Sequence, residues 1–234
     1  MQILDIYCYG KETIPKTWLN IYRRNADKLY IFEKPVKMIV NGQKKSLSAD
    51  TLYFFPFSSD ILPQKEMNEG VNHYYSDFAI SPPIVSPSEF SLKFENMSET
   101  QKCAVELYKN LICQPKINLN LVTALIEYLV KAVTNYNNKK SVTDKIVTQA
   151  INYMHSEPIG DLSVKLLADK LGITQKTLIN HFVNHLGITP YSYYKNLRIN
   201  YAKKLINHGS TLEEAAESTG YSEAAALIRA MKEK

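Results

Sequence analysis

The sequence predicts an α+β chain: a small β-barrel with two helices, followed by an all-α C-terminal domain in which a long helix joins two helix-turn-helix units. Three observations carry this expectation. Residues 10–83 hold short aromatic and β-branched runs separated by turn signals. Helical periodicity replaces them from Ser98 onward. Near the C-terminus, one order of cap, small residue, glycine and four-residue anchor spacing occurs twice.

The strand-like runs are Leu29-Tyr30-Ile31-Phe32, Val36-Lys37-Met38-Ile39-Val40 and Thr51-Leu52-Tyr53-Phe54-Phe55. Asn41-Gly42 is a hairpin signal, because both residues tolerate positive φ. Pro56, Pro63, Pro82, Pro83 and Pro87 mark loops or strand ends. Inward residues alternate along barrel strands, so Trp18, Arg24, Tyr30, Phe32, Tyr53 and Phe55 are candidates to line a small-molecule pocket in the barrel. Aromatic faces beside an arginine suit a sugar-like or carboxylated molecule. Simple core filling explains the same residues equally well.

Ser98 with Gln101 resembles a capping box, and the helix it opens is expected to reach Cys113. A second helix is expected over residues 118–135, with Leu121, Leu125, Tyr128, Leu129 and Ala132 on one face. That stripe either packs on the N-terminal domain or joins two copies of the chain. The polar run Asn137-Asn138-Lys139-Lys140-Ser141 reads as a linker. The expected division is therefore 1–97 β-barrel domain, 98–140 helical segment and 141–234 C-terminal helical domain.

Composition narrows the function class. The chain has 234 residues, 45% hydrophobic and 22% charged, which suits a globular protein with one large or two modest cores. No apolar run is long enough to span a bilayer, and residues 1–18 do not read as a signal peptide. A cytoplasmic protein is expected, and three scattered cysteines fit a reducing compartment. The net charge is +5, unevenly spread: residues 141–210 hold eight Lys/Arg against four Asp/Glu, and residues 211–234 hold three against five. A polyanion is therefore expected to meet the segment before residue 211.

The first helix of the C-terminal domain is expected from Val142 to His155, with Ile146, Ala150, Tyr153 and Met154 inward. The next segment has the parts of a helix-turn-helix. Ser163 can cap its first helix, and Ala168 is small where two helices cross. Gly172 supplies a turn with positive φ, and Thr174 can cap the second helix. Leu178 and Phe182 anchor that helix, which leaves Gln175, Lys176, Ile179, Asn180 and His181 facing outward. A second unit follows. Ser210 with Glu213 forms a capping box, Ala216 precedes Gly220 by four residues, and Tyr221-Ser222 opens a last helix anchored by Leu227 and Met231. Between the units, Thr189 and Pro190 start a long helix that Gly209 stops.

This order of elements resembles the DNA-binding domain of AraC-type (AraC/XylS) transcription regulators, a bacterial family. The matching residues include Leu167-Ala168, Leu178, Phe182, Gly187, Pro190, Tyr194, Arg198, Ala202, Leu205, Ala216, Gly220-Tyr221, Leu227, Arg229 and Lys232. The resemblance implies two recognition helices in successive major grooves of double-stranded DNA. It also implies a cupin-like effector-binding domain before them, a homodimer, and RNA polymerase as a further partner. The implied DNA-binding residues are Thr174, Gln175, Lys176, Ile179 and Asn180 in the first unit, and Ser222, Ala225 and Arg229 in the second.

The two units are unequal. Asn180 can pair with adenine, Lys176 can meet guanine or phosphate, and Ile179 offers apolar contact. The run Ala224-Ala225-Ala226 offers nearly no directional readout, which leaves Arg229 as the one strong reader of the second unit. The first unit is expected to supply most of the sequence discrimination. An alternative reading is a ligand-sensing or partner-binding relative with weakened DNA binding.

No enzyme, cofactor or metal is expected. The barrel region offers only His73 as a histidine ligand, and His155, His181, His185 and His208 lie on helices without evident ligand spacing. His181 and His185 are four apart, which reads as a solvated face. Neither a glycine-rich phosphate loop nor a nucleophile elbow appears.

Overall fold

The computed structural model describes residues 1–14, 26–64, 70–85, 89–137, 144–157, 159–160, 162–207 and 209–232. It divides into two compact units: Met1–Ile80 with Ser86–Ser141, and Val142–Lys234 with Ser81–Val85. None of the described helices is long and apolar enough to cross a membrane.

The first unit holds β1 (Gln2–Thr13), β2 (Asp27–Phe32), β3 (Val36–Val40), β4 (Gln43–Leu47), β5 (Thr51–Phe55), β6 (Ile61–Pro63), β7 (Asn72–Ser81) and β8 (Phe90–Lys93). A five-stranded sheet runs β1-β7-β2-β5-β8, and a three-stranded sheet runs β4-β3-β6. The strands thus form two hydrogen-bonded sheets rather than one closed barrel. β2 lies between β5 and β7, antiparallel to both, with Tyr30 opposite Tyr53 and Tyr75. Asn41 and Gly42, with φ of 50° and 80°, turn β3 into β4 through a two-residue loop.

Period-two alternation sends the two faces of the large sheet to different neighbours. Tyr30, Phe32, Tyr53 and Phe55 share one buried cluster with Val36, Met38, Val40, Leu47 and Ile61 of the small sheet. Phe54 lies on the other face and stacks on Phe78 at 6.3 Å. Helices α1 (Glu99–Ile112) and α2 (Leu119–Tyr136) complete this unit. Ser98 and Gln101 form the expected capping box, and Asn118 caps α2. The α2 face differs from expectation. Val122, Leu125, Ile126, Leu129, Val130 and Val133 are buried, whereas Leu121 and Tyr128 are each 39% exposed. α2 contacts β1, β5 and β8, and Glu127 accepts a hydrogen bond from the Ile3 amide at 2.8 Å.

The second unit is helical: α3 (Lys145–Ser156), α4 (Val164–Lys170), α5 (Gln175–Leu186), α6 (Pro190–Asn207), α7 (Leu212–Ser218) and α8 (Ala224–Lys232). α3 starts three residues later than expected, because Asp144 caps it by accepting from the Val147 amide. Its inward residues are Val147, Ala150, Ile151 and Met154, so Ile146 and Tyr153 flank the buried stripe.

Candidate nucleic-acid interface

The first helix-turn-helix is α4, a glycine turn and α5. Ser163 accepts from the Leu166 amide and Thr174 from the Thr177 amide, so both helices carry side-chain N-caps. Ala168 is fully buried where the helices cross, and Gly172 takes the left-handed turn at φ 66°. Leu178, Phe182 and Leu186 bury the inner face of α5. Thr174, Gln175, Lys176, Ile179 and Asn180 are all exposed. Val183 and Asn184 extend that outer face by another turn and were not anticipated. From Gln175 to Asn184 the stripe rises ~13 Å, the length of about four stacked base pairs.

His181 departs from its expected outward position. It is half-buried, and its Nδ1 lies 2.9 Å from Oδ2 of Asp144. His185 Nε2 approaches the same oxygen at 3.2 Å. Burial pushes the Asp144 carboxyl up, but the Val147 amide and the two imidazoles outweigh it and hold the pKa below the usual carboxylate value. The three side chains were not grouped by sequence reasoning, because Asp144 lies 37 residues from His181.

The second unit keeps its framework with two shifts in register. Thr211 and Glu214 form the capping box, one residue after the expected Ser210–Glu213 pair. α8 begins at Ala224 rather than at Tyr221-Ser222. Ala202, Ala215, Ala216 and Leu227 make its core, with Leu205, Ile206, Tyr221 and Met231 packed around them. Ser222, Ala225 and Arg229 are exposed, and Ala224 is half-buried. Arg229 donates to Glu223 Oε1 at 3.2 Å, so the one strong reader of this unit already has an acidic partner.

α6 holds the second unit in place through groups whose roles sequence reasoning missed. Arg198 Nε donates to the Thr219 carbonyl and Nη2 to the Gly220 carbonyl, both at 2.6 Å. Its guanidinium lies 4.1 Å from the Tyr221 ring centroid. One turn earlier on α6, the Tyr194 hydroxyl accepts from the Gly160 amide at 3.0 Å. Gly160 and Gly220 meet so closely that a Cβ on Gly220 would lie 2.7 Å from the Gly160 Cα.

The candidate effector residues are placed differently. Tyr30, Phe32, Tyr53 and Phe55 are each at most 5% exposed and fill the space between the sheets. Trp18 and Arg24 lie outside the described residues.

Two capped helix-turn-helix units flanking one long helix define the class: a helix-turn-helix protein with a β-rich domain before it. A helix-turn-helix domain family model matches residues 167–234. An uncharacterized HTH-type transcriptional regulator, YbfI of Bacillus subtilis (strain 168), is 30% identical over 104 residues, 42% of this chain and 37% of that protein. A putative AraC-like transcription regulator of Streptomyces lividans is 32% identical over 92 residues, 39% of this chain and 30% of that protein. The match therefore spans about a third of the length of these relatives. ToxT from Vibrio cholerae O395, in a crystal structure with bound (E)-4-(8-methylnaphthalen-1-yl)but-3-enoic acid, shares the fold at TM-score 0.70 and 11% identity, over 96% of this chain and 93% of that one. Residues 167–234 thus match a helix-turn-helix domain family, and the chain is similar in part to HTH-type and AraC-like transcription regulators.

Proposed function

We propose that the protein is a sequence-specific, double-stranded-DNA-binding transcription regulator of the cytoplasm, whose first helix-turn-helix supplies most of the base readout. The outer face of α5 carries this reading: Gln175 and Asn180 are amides suited to adenine, Lys176 suits guanine or phosphate, and Ile179 and Val183 suit thymine methyls. Residues 1–140 act as the sensing and assembly part. Its effector is a carboxylate-bearing apolar molecule, a reading supported by the bound naphthyl-butenoic acid of one ToxT structure and the unsaturated fatty acid of another. Such a ligand has to displace or reach past the packed ring layer of Tyr30, Phe32, Tyr53 and Phe55. A homodimer through exposed Leu107, Leu121 and Tyr128, and contact with RNA polymerase, complete the proposal.

The alternative, a sensing protein with weakened DNA binding, is favoured by one observation: the Arg229–Glu223 pair beside the small Ala225. Fluorescence anisotropy with genomic DNA fragments enriched by pull-down separates the two. The regulator is expected to hold its preferred fragment at least about a thousandfold more tightly than random DNA at physiological salt. Lys176→Ala and Asn180→Ala are expected to weaken specific binding more than Arg229→Ala. Equal affinity for specific and random DNA favours the alternative, and a larger loss from Arg229→Ala moves the readout to the second unit.

A further inference from the structure

We infer that Asp144, His181 and His185 form a binding site for one divalent transition-metal ion on the first helix-turn-helix. Among the described residues, these three place one donor atom each within 4.8 Å of one another. The histidines stand four apart on α5, so one helical turn stacks their rings, with centroids 6.1 Å apart. Asp144 enters from the start of α3. Its two oxygens are divided between two tasks. Oδ1 accepts the Val147 amide at 2.8 Å and caps the helix. Oδ2 faces both imidazoles, at 2.9 Å from Nδ1 of His181 and 3.2 Å from Nε2 of His185.

Those separations suit a shared ion. Metal–nitrogen and metal–oxygen bonds of about 2.0–2.2 Å at tetrahedral or octahedral angles put neighbouring donors about 2.9–3.5 Å apart. Both Asp–His edges already have this length, and a turn of the 43%-exposed His185 ring closes the His–His edge. A metal ion needs a lone pair from each imidazole, so a proton on the nitrogen that faces Oδ2 passes to the other ring nitrogen or to solvent on binding. The capping bond through Oδ1 is untouched. Two imidazoles and one carboxylate favour zinc, cobalt, nickel or copper over magnesium or calcium. Three protein ligands on a partly exposed surface leave at least one position for water. The ion ties the end of α5 to the start of α3, and thereby braces the helix that carries Lys176 and Asn180.

The test is titration of the full-length chain with cobalt(II), then zinc(II), in a C103S/C113S background that removes two exposed thiols. The expected result is one site per chain, visible in the cobalt d–d bands, with the melting temperature rising as metal is added. Asp144→Asn retains an oxygen for the Val147 amide and loses the anionic donor. It and His185→Gln are each expected to weaken cobalt binding at least about tenfold while the apo protein melts near the parent temperature. Parent-like cobalt affinity in both variants, or no saturable binding by the parent chain up to millimolar metal, overturns the inference. The readout is independent of DNA binding, so it stands or falls separately from the proposed regulatory role.

Discussion

Asp27 is a buried carboxyl at the start of β2 that holds both β7 and the segment just after β5. Its Oδ1 accepts from the Phe57 amide at 3.0 Å and its Oδ2 from the Ile80 amide at 3.2 Å. Burial pushes its pKa up to about 7, against the opposing pull of the two amides. The folded state therefore holds this proton more tightly than the unfolded chain. The resulting stabilisation is complete below about pH 4, declines as pH rises toward 7, and is absent above that. Asp27→Asn keeps one acceptor and turns an NH2 toward an amide donor, which is expected to cost about 1–3 kcal/mol. The penalty in urea unfolding should be larger at pH 5 than at pH 8, because only the parent gains from protonation. A penalty that does not change with pH would show that Asp27 is ionised throughout.

At the scale of elements, the turn of the second unit is more constrained than that of the first. Gly172 and Gly220 have similar φ, 66° and 71°, but a Cβ on Gly172 meets nothing within 4 Å. Gly172→Ala should therefore cost only the left-handed strain, about 1–2 kcal/mol. Gly220→Ala adds a clash with the Gly160 backbone and pulls on the carbonyls that Arg198 holds, so its loss of stability should exceed that of Gly172→Ala by at least about 1 kcal/mol. Equal losses in urea titrations would mean that the Gly160 loop yields at no cost. The two glycine turns were legible in the sequence, as were the Asn41-Gly42 hairpin and the caps at Ser98, Ser163 and Thr174, because each is written within a few neighbouring residues. The buried face of α2 was not. Leu119, Leu121, Val122, Leu125, Ile126, Leu129, Val130 and Val133 wrap apolar groups around much of that helix, and only the sheet it meets selects a side. The capping box slipped by one residue because Ser210–Glu213 and Thr211–Glu214 have the same spacing. The Arg198 contacts and the link from Asp144 to His181 and His185 join residues 21 or more apart, which leaves no local signature.

Across the whole molecule, the charge distribution sets how strongly each helix-turn-helix can engage a polyanion. Residues 141–210 carry a net +4 and residues 211–234 a net −2. In the second unit Glu213, Glu214 and Glu217 lie on exposed positions of α7, and Glu223 holds Arg229 at 3.2 Å. An exposed pair of this kind adds little to stability, so its main effect falls on recognition. In the proposed approach to DNA, Glu223 repels phosphate and competes for the guanidinium that would otherwise reach a base or the backbone. Glu223→Gln removes the repulsion and releases Arg229, without touching the core around Leu227. The expected outcome is tighter DNA binding, by about tenfold at 50 mM salt, with a log–log salt slope steeper by about one as one more phosphate contact forms. Most of the gain should be lost in the double variant Glu223→Gln/Arg229→Ala, which keeps only the share due to Glu223 repulsion. A gain that survives undiminished without Arg229 would assign the whole effect to repulsion by Glu223, and an unchanged affinity would place α8 away from the duplex.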